Sequence, residues 1–128
     1  MRDKDELLGL AEVLCRDLTL EVHRLTANRS RTGDRAQAEV DDNLLRKVTQ
    51  YYVNARRSEG PGALDRLLDF LARNPPKHGK GLLVNWEACR NVIRRQEKTF
   101  RGLSPGEVAY VLGWTSRLAR ADAGRAAR

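Results

Sequence analysis

The most specific chemical pattern in the chain is a run of four cations: Arg90, Arg94, Lys98 and Arg101. At about 100° per residue of an α-helix, the last three fall within about 80° of Arg90. Neighbours in this basic ridge would stand about one helical turn apart, roughly 5.4 Å, which suits successive phosphates of one strand. Glu97 lies on the same face, so an internally neutralised helix surface is the competing interpretation.

A second group of cations lies in the loop NPPKHGKG, residues 74–81. Its two prolines end the preceding helix, and its two glycines allow backbone angles that other residues avoid. Lys77 and Lys80 stand before the next helix, whose unpaired N–H groups add positive potential. The sequence therefore predicts an anion-facing loop. Nucleotide hydrolysis is not indicated, because the GKS or GKT of a P-loop is missing.

The positive charge of the chain is unevenly distributed. The 128 residues carry a net charge of +7, and residues 73–101 contain eight Lys and Arg against two acids. Such a concentration favours a polyanionic partner, with nucleic acid ahead of an acidic membrane surface or an acidic protein. Since no base-edge readers are identified, binding would be salt-dependent and tolerant of sequence.

Few residues are suited to catalysis. His23 and His78 are the two near-neutral bases. His23 neighbours a helical stripe and is expected to be structural, and no carboxylate or nucleophile is obviously placed to orient His78. Cys15 and Cys89 lie on apolar helical stripes, which predicts buried free thiols and no metal site. We expect no enzyme, no cofactor and no small-molecule substrate. The charged N-terminus and the lack of a spanning apolar segment favour a cytoplasmic protein without membrane contact.

Five helices are expected to position these residues, over about 3–26, 35–58, 64–73, 82–100 and 105–122. The last helix has the clearest start, because Ser104, Pro105 and Glu107 form a capping box with proline at the first helical position. Gly113 in its middle indicates close backbone packing. Without any period-2 apolar run, the chain is predicted to be all-α, a compact bundle of about five helices. Residues 1–128 are expected to form one helical domain, with about 123–128 frayed.

Two faces of the last helix have different expectations. One face is expected to be core: Val108, Val111, Leu112, Thr115, Leu118 and Ala119. The flank beside it carries Tyr110, Trp114 and Arg117. Aromatic residues interleaved with arginine suit further core, a partner subunit or a nucleobase, and we take these three as candidate subunit contacts.

The segment KTFRGLSPGEVAYVLGWTSRLARAD, residues 98–122, resembles the C-terminal helix of the small helical subunits of type III CRISPR effector complexes. The resemblance rests on an aromatic residue, S-x-x-E, two apolar residues, Gly-Trp, Arg and Leu-Ala, over 25 of the 128 residues. It implies a non-catalytic subunit that stacks with copies of itself and contacts target RNA. The Asn-Gly-Leu turn of one branch is replaced by Lys80-Gly81-Leu82, and no family binding residue is transferred.

The leading hypothesis is a small helical subunit of a ribonucleoprotein that binds the backbone of single-stranded RNA. The candidate RNA-binding residues are Lys77, Lys80, Arg90, Arg94, Lys98 and Arg101. The acidic first helix of one copy would meet the basic segment of the next. Two alternatives are a DNA-binding regulator that uses residues 64–101 as a helix-loop-helix reader, and a protein adaptor without a nucleic-acid role.

Overall fold

A computed structural model of the chain describes residues 3–29 and 39–126. Six α-helices follow one another: α1 (Lys4–Arg29), α2 (Asp42–Glu59), α3 (Ala63–Arg73), α4 (Lys80–Arg95), α5 (Glu97–Arg101) and α6 (Pro105–Ala126). A short 3₁₀ turn, Gly60–Gly62, joins α2 to α3, as the GPG sequence indicates. Within these two described segments there is no strand, and the predicted all-α bundle is confirmed.

The helices pack around α4 and α6. Helix α6 contacts α1 and α2, whereas α4 contacts α1, α2 and α3, and α2 also packs on α3. The apolar stripe of α1 is buried as its spacing predicts, at Leu7, Ala11, Leu14, Leu18 and Val22. The largest fully buried side chains are Tyr52 and Phe100. Because α4 packs against three other helices, it is an interior element with one side exposed to solvent.

The start of α6 confirms the predicted capping box. The backbone N–H of Glu107 donates to Ser104 Oγ at 3.2 Å, and the Ser104 N–H donates to Glu107 Oε1 at 2.9 Å. These two bonds satisfy N–H groups that a helix start leaves unpaired. The expected core face of α6 is also buried, except that Leu118 is only half-buried. Helix α6 continues to Ala126, and residues 127–128 lie outside the described residues.

The predicted start of the second helix is wrong. Residues 39–41 are not helical, and α2 begins at Asp42 with Asp41 as its N-cap. The Asp41 carboxylate accepts from the N–H groups of Asn43 and Leu44, and its own N–H donates to Asn85 Oδ1 at 2.8 Å. An N-cap aspartate stabilises a helix start by satisfying such donors. The rest of the expected start, residues 35–38, lies outside the described residues.

The fourth predicted helix, 82–100, is in fact two helices. Helix α4 starts earlier, at Lys80, and is interrupted at Gln96 before the single turn of α5. Trp86, Cys89 and Ile93 of α4 are buried, whereas Leu82 is 39% exposed. The buried set of α4 also includes Val84, Ala88 and Val92. The apolar side of α4 is therefore broad, and three neighbouring helices pack against it.

Two glycines differ in what their backbone requires. Gly79, directly before α4, has φ of +88°, in the left-handed region where side chains are strained. Gly113 in α6 has no other atom within 4 Å of where a Cβ would stand. The close backbone packing expected at Gly113 is therefore wrong, whereas the backbone at Gly79 favours glycine.

Among the described helices, none contains an apolar segment long enough to cross a bilayer.

Candidate nucleic-acid interface

The predicted basic ridge is only partly present. Arg94 and Lys98 are exposed and make no ion pair with any residue that the structure describes. Arg90 is half-buried, and its Nε is buried without a hydrogen-bond acceptor in the described part of the chain. The four cations therefore do not form one continuous exposed row, since the helix also breaks at Gln96.

Arg101, the last residue of the ridge, is held by two carboxylates. Its Nη2 lies 2.7 Å from Asp65 Oδ1 on α3 and 2.5 Å from Glu97 Oε1 on α5. These hydrogen bonds, with Asp65 contributing more than Glu97, raise the pKa of Arg101. The competing interpretation of a neutralised surface is confirmed at this position. Arg101 is consequently a weaker candidate for a phosphate contact than Arg94 or Lys98.

The two loop lysines precede α4. Lys77 is exposed and has no ion pair with a described residue, and the side chain of Lys80 lies outside the described residues. His78 is also exposed in this loop. Lys77 thus joins Arg94 and Lys98 as an accessible cation of the predicted set.

Three arginines lie together in an open cleft between α1 and α4. The cleft has a volume of about 390 Å³, and its lining residues are Glu21, Arg24, Asn91, Arg94 and Arg95. Of the ridge, only Arg94 belongs to it. Three arginines and one carboxylate give this cleft a formal charge of +2, which favours an anion.

A buried carboxylate organises two of these arginines. Glu21 is 3% exposed, and its Oε1 accepts from Arg24 Nε at 2.6 Å. Its Oε2 accepts from Nη2 of Arg95, which brings α4 against α1. The hydrogen bond from Arg24 lowers the pKa of Glu21; burial opposes this, and the charge of Arg95 and a hydrogen bond from Asn91 add to it. Glu21 is therefore an ionised group inside the fold.

The arginines themselves remain accessible. The side chains of Arg24 and Arg95 are 56% and 58% exposed, against 2% for Glu21. A guanidinium carries five N–H donors, so the contacts with Glu21 leave donors on each side chain for another acceptor. The arginines of the cleft can therefore donate to an oxyanion while Glu21 stays paired with Arg24 and Arg95.

Sequence reasoning did not find Glu21, Arg24 or Arg95. Residues 21 and 95 are distant in sequence, and their contact exists only because α1 packs on α4. One signal was present. Glu21 continues the seven-residue spacing of Leu7 and Leu14 at the edge of the apolar stripe, and an acid in that position needs a partner.

Neither cysteine is suited to act as a nucleophile. Both thiols are free and buried. Burial raises the pKa of Cys15 to about 11, with the nearby Asp122 carboxylate adding to the shift. Burial also raises the pKa of Cys89 to about 12. The reactive thiolate is thus suppressed at both positions. Among the described residues, no group of His, Cys, Asp and Glu is placed to hold a metal ion.

Comparison of the chain with protein-family models, curated proteins and solved structures gives no match.

The candidate subunit contacts form one cluster on α6. The rings of Tyr110 and Trp114 are 6.3 Å apart at 55°, and the Arg117 guanidinium carbon lies 5.0 Å from the Trp114 ring centroid. Both aromatic residues are half-buried and pack partly against the core, whereas Arg117 is exposed. The cluster is therefore partly core, at Tyr110 and Trp114, and partly accessible surface, at Arg117.

Proposed function

We propose that this protein is a non-catalytic helical subunit of a ribonucleoprotein, which binds the backbone of single-stranded RNA without reading its sequence. The observation that carries the proposal is the arrangement of exposed guanidinium groups from Arg24, Arg94 and Arg95 around one cleft. Phosphate oxygens are the acceptors that such groups bind best, with paired N–H donors.

The wider surface supports an extended ligand. Lys77 and Lys98 are exposed cations without ion pairs among the described residues, and they belong to the same basic segment as Arg94. Contacts of this kind neutralise phosphates and carry no sequence information. The resemblance of residues 98–122 to small subunits of type III CRISPR complexes favours RNA and a stacked assembly.

The proposed neighbours in such an assembly are copies of this chain or other subunits. The Tyr110–Trp114–Arg117 cluster offers aromatic and cationic surface of the kind enriched at protein interfaces. The acidic first turn of α1, with Asp5 and Glu6, would face the basic segment of the next copy.

The position of α4 counts against the regulator alternative. A recognition helix must project into the major groove, but α4 packs against α1, α2 and α3 and leaves only one side to solvent. The connection between α3 and α4 spans residues 74–79, longer than the three or four residues of a helix-turn-helix. These features favour backbone contacts over a DNA-reading helix.

Fluorescence anisotropy of a labelled, mixed-sequence single-stranded RNA tests the proposal directly. We expect binding whose log K falls with log salt concentration by about 0.7 per phosphate contacted, and similar affinity for unrelated sequences. Tighter binding to duplex DNA with a defined footprint would instead support a regulator. Absence of RNA binding at low salt would overturn the proposal and leave the adaptor.

A further inference from the structure

The ion pairs around Glu21 differ from two other arginine–carboxylate pairs in the described part of the chain. Arg73 pairs with Asp69 and Arg66 with Glu59, but those carboxylates have exposed fractions of 54% and 31%. Glu21 has 2% of its side chain exposed and is shared by two arginines from two helices. A buried charge destabilises the fold unless it is paired. The arrangement is therefore more than a solvated surface pair.

Sharing one carboxylate fixes the two guanidinium groups relative to each other. Arg24 uses its Nε on one oxygen of Glu21, and Arg95 uses its Nη2 on the other. Both groups are thereby held at one edge of the cleft, which reduces the side-chain entropy lost when a ligand binds. Their unused N–H donors are available to an anion with several oxygens.

Arg94 completes the set on the α4 side. It lines the same cleft, is exposed, and makes no ion pair with a residue of the described segments. Asn91, which precedes Arg94 by three residues on α4, is half-buried and lines the cleft as a neutral hydrogen-bonding group. A terminal phosphate offers three non-bridging oxygens to these guanidinium groups and an internal phosphodiester offers two, and each oxygen can accept more than one N–H donor.

We infer that Arg24, Arg94 and Arg95 form a clamp for a single phosphate group, anchored by the buried carboxylate of Glu21. The inference rests on the proposed function, in that the phosphate would be one of an RNA strand. It adds two residues, Arg24 and Arg95, that the sequence pattern did not indicate. The same chemistry would accept an internal phosphodiester or a terminal phosphate, and these are separated by experiment.

The test uses arginine Nε–Hε signals in NMR spectra during titration with inorganic phosphate. The decisive variant is Arg24→Lys with Arg95→Lys, which keeps both positive charges beside Glu21 but removes the planar forks. The matched control is Arg66→Lys with Arg73→Lys, which makes the same change at the exposed pairs. Arg94→Ala is a second variant, since it breaks no ion pair that the structure describes.

We expect saturable shifts of the Arg24, Arg94 and Arg95 signals in the wild type and in the control, and the Arg94 signal reports phosphate binding in the double lysine variant. The double lysine variant should bind phosphate about tenfold more weakly, which corresponds to the loss of one charge-assisted contact. Arg94→Ala should weaken binding by a similar factor. Repeating the titration with an end-blocked dinucleotide and with a nucleoside 5′-monophosphate shows whether the clamp takes an internal or a terminal phosphate.

Unsaturable shifts, or equal phosphate affinity in the wild type, the double lysine variant and Arg94→Ala, would overturn the clamp. If RNA binding persists unchanged in these variants, the clamp fails while the proposed function stands. If the wild type binds inorganic phosphate at Arg24 and Arg95 but not RNA, the proposed function fails and the clamp belongs to another phosphate-bearing ligand.

Discussion

Arg95 on α4 donates a hydrogen bond to the buried carboxylate of Glu21 on α1. This contact joins two helices that are distant in sequence, and it fixes one wall of the α1–α4 cleft. Because Glu21 is almost inaccessible while Arg95 is largely exposed, the pair has a buried side and a solvent-facing side. Stability and the proposed anion binding therefore depend on the same residues.

Removing Arg95 should destabilise the fold. Arg95→Ala leaves the buried Glu21 with Arg24 as its remaining cation, so the free energy of unfolding should fall in urea titrations. The fall should exceed that of Arg73→Ala, which breaks the exposed pair with Asp69. Adding Glu21→Gln to Arg95→Ala should recover part of the lost free energy of unfolding, because burying a neutral amide is less destabilising than burying a carboxylate that lacks a partner. Equal losses in the two single variants would show that Glu21 needs no second partner.

Acid should remove the contribution of Glu21. Its pKa lies below the usual value of 4.5, chiefly through the hydrogen bond from Arg24. The stability that this ionised carboxylate contributes is fully present above pH 4.5 and is lost as pH falls through its lower folded-state pKa. As pH falls through this range, the free energy of unfolding measured in urea should decrease less in Glu21→Gln than in the wild type. Parallel curves would contradict the assignment.

Gly113→Ala should stabilise the protein. The position is inside α6, and a Cβ there would meet no other atom within 4 Å. Alanine has a higher helix propensity than glycine, so the free energy of unfolding should rise by about 0.8 kcal/mol. Gly79→Ala is the control of opposite sign, because its φ of +88° strains any side chain. A destabilised Gly113→Ala variant would indicate contacts that the fold does not show.

The two cysteines should resist alkylation in the native protein. Burial raises the pKa of Cys15 to about 11 and that of Cys89 to about 12, so little thiolate exists near pH 8. Their contribution to stability is present below the unfolded-state pKa of 9.0 and is lost as pH rises above it. Mass spectrometry should find label at either residue only after denaturant is added. Rapid labelling of the folded chain would contradict their burial.

Local chemistry explains which parts of the fold could be predicted. The capping box of Ser104 and Glu107 depends on residues three apart, and its signal is complete in the sequence. The start of α2 was misplaced because apolar spacing extends through Val40, whereas the helix begins after Asp41. Asp41 is fixed by a hydrogen bond to Asn85, and that tertiary contact has no local signature.

The candidate site was predicted less completely than the fold. Arg94 and Lys98 were predicted to be accessible cations, and both are exposed. Arg101 was assigned to the same ridge, but it forms an ion pair with Asp65 on another helix. No proline or glycine marks the break at Gln96, so the continuous ridge could not be excluded by pattern alone. Pairing partners from other helices decide which cations remain available.

The central claim is that accessible cations bind the RNA backbone, and the salt dependence of RNA affinity measures it most directly. The test variant combines Lys77→Ala, Arg94→Ala and Lys98→Ala, which remove exposed cations of the basic segment. The control combines three exposed cations of α1 and α2, with the same loss of charge: Arg16→Ala, Lys47→Ala and Arg57→Ala.

Anisotropy titrations over a range of salt concentrations give the slope of log K for RNA against log salt concentration. The control variant should have the same slope as the wild type. The test variant should have a slope shallower by about two units, from about 0.7 for each of three lost phosphate contacts. The same slope in the test variant, the control and the wild type would contradict the claim that these cations contact RNA.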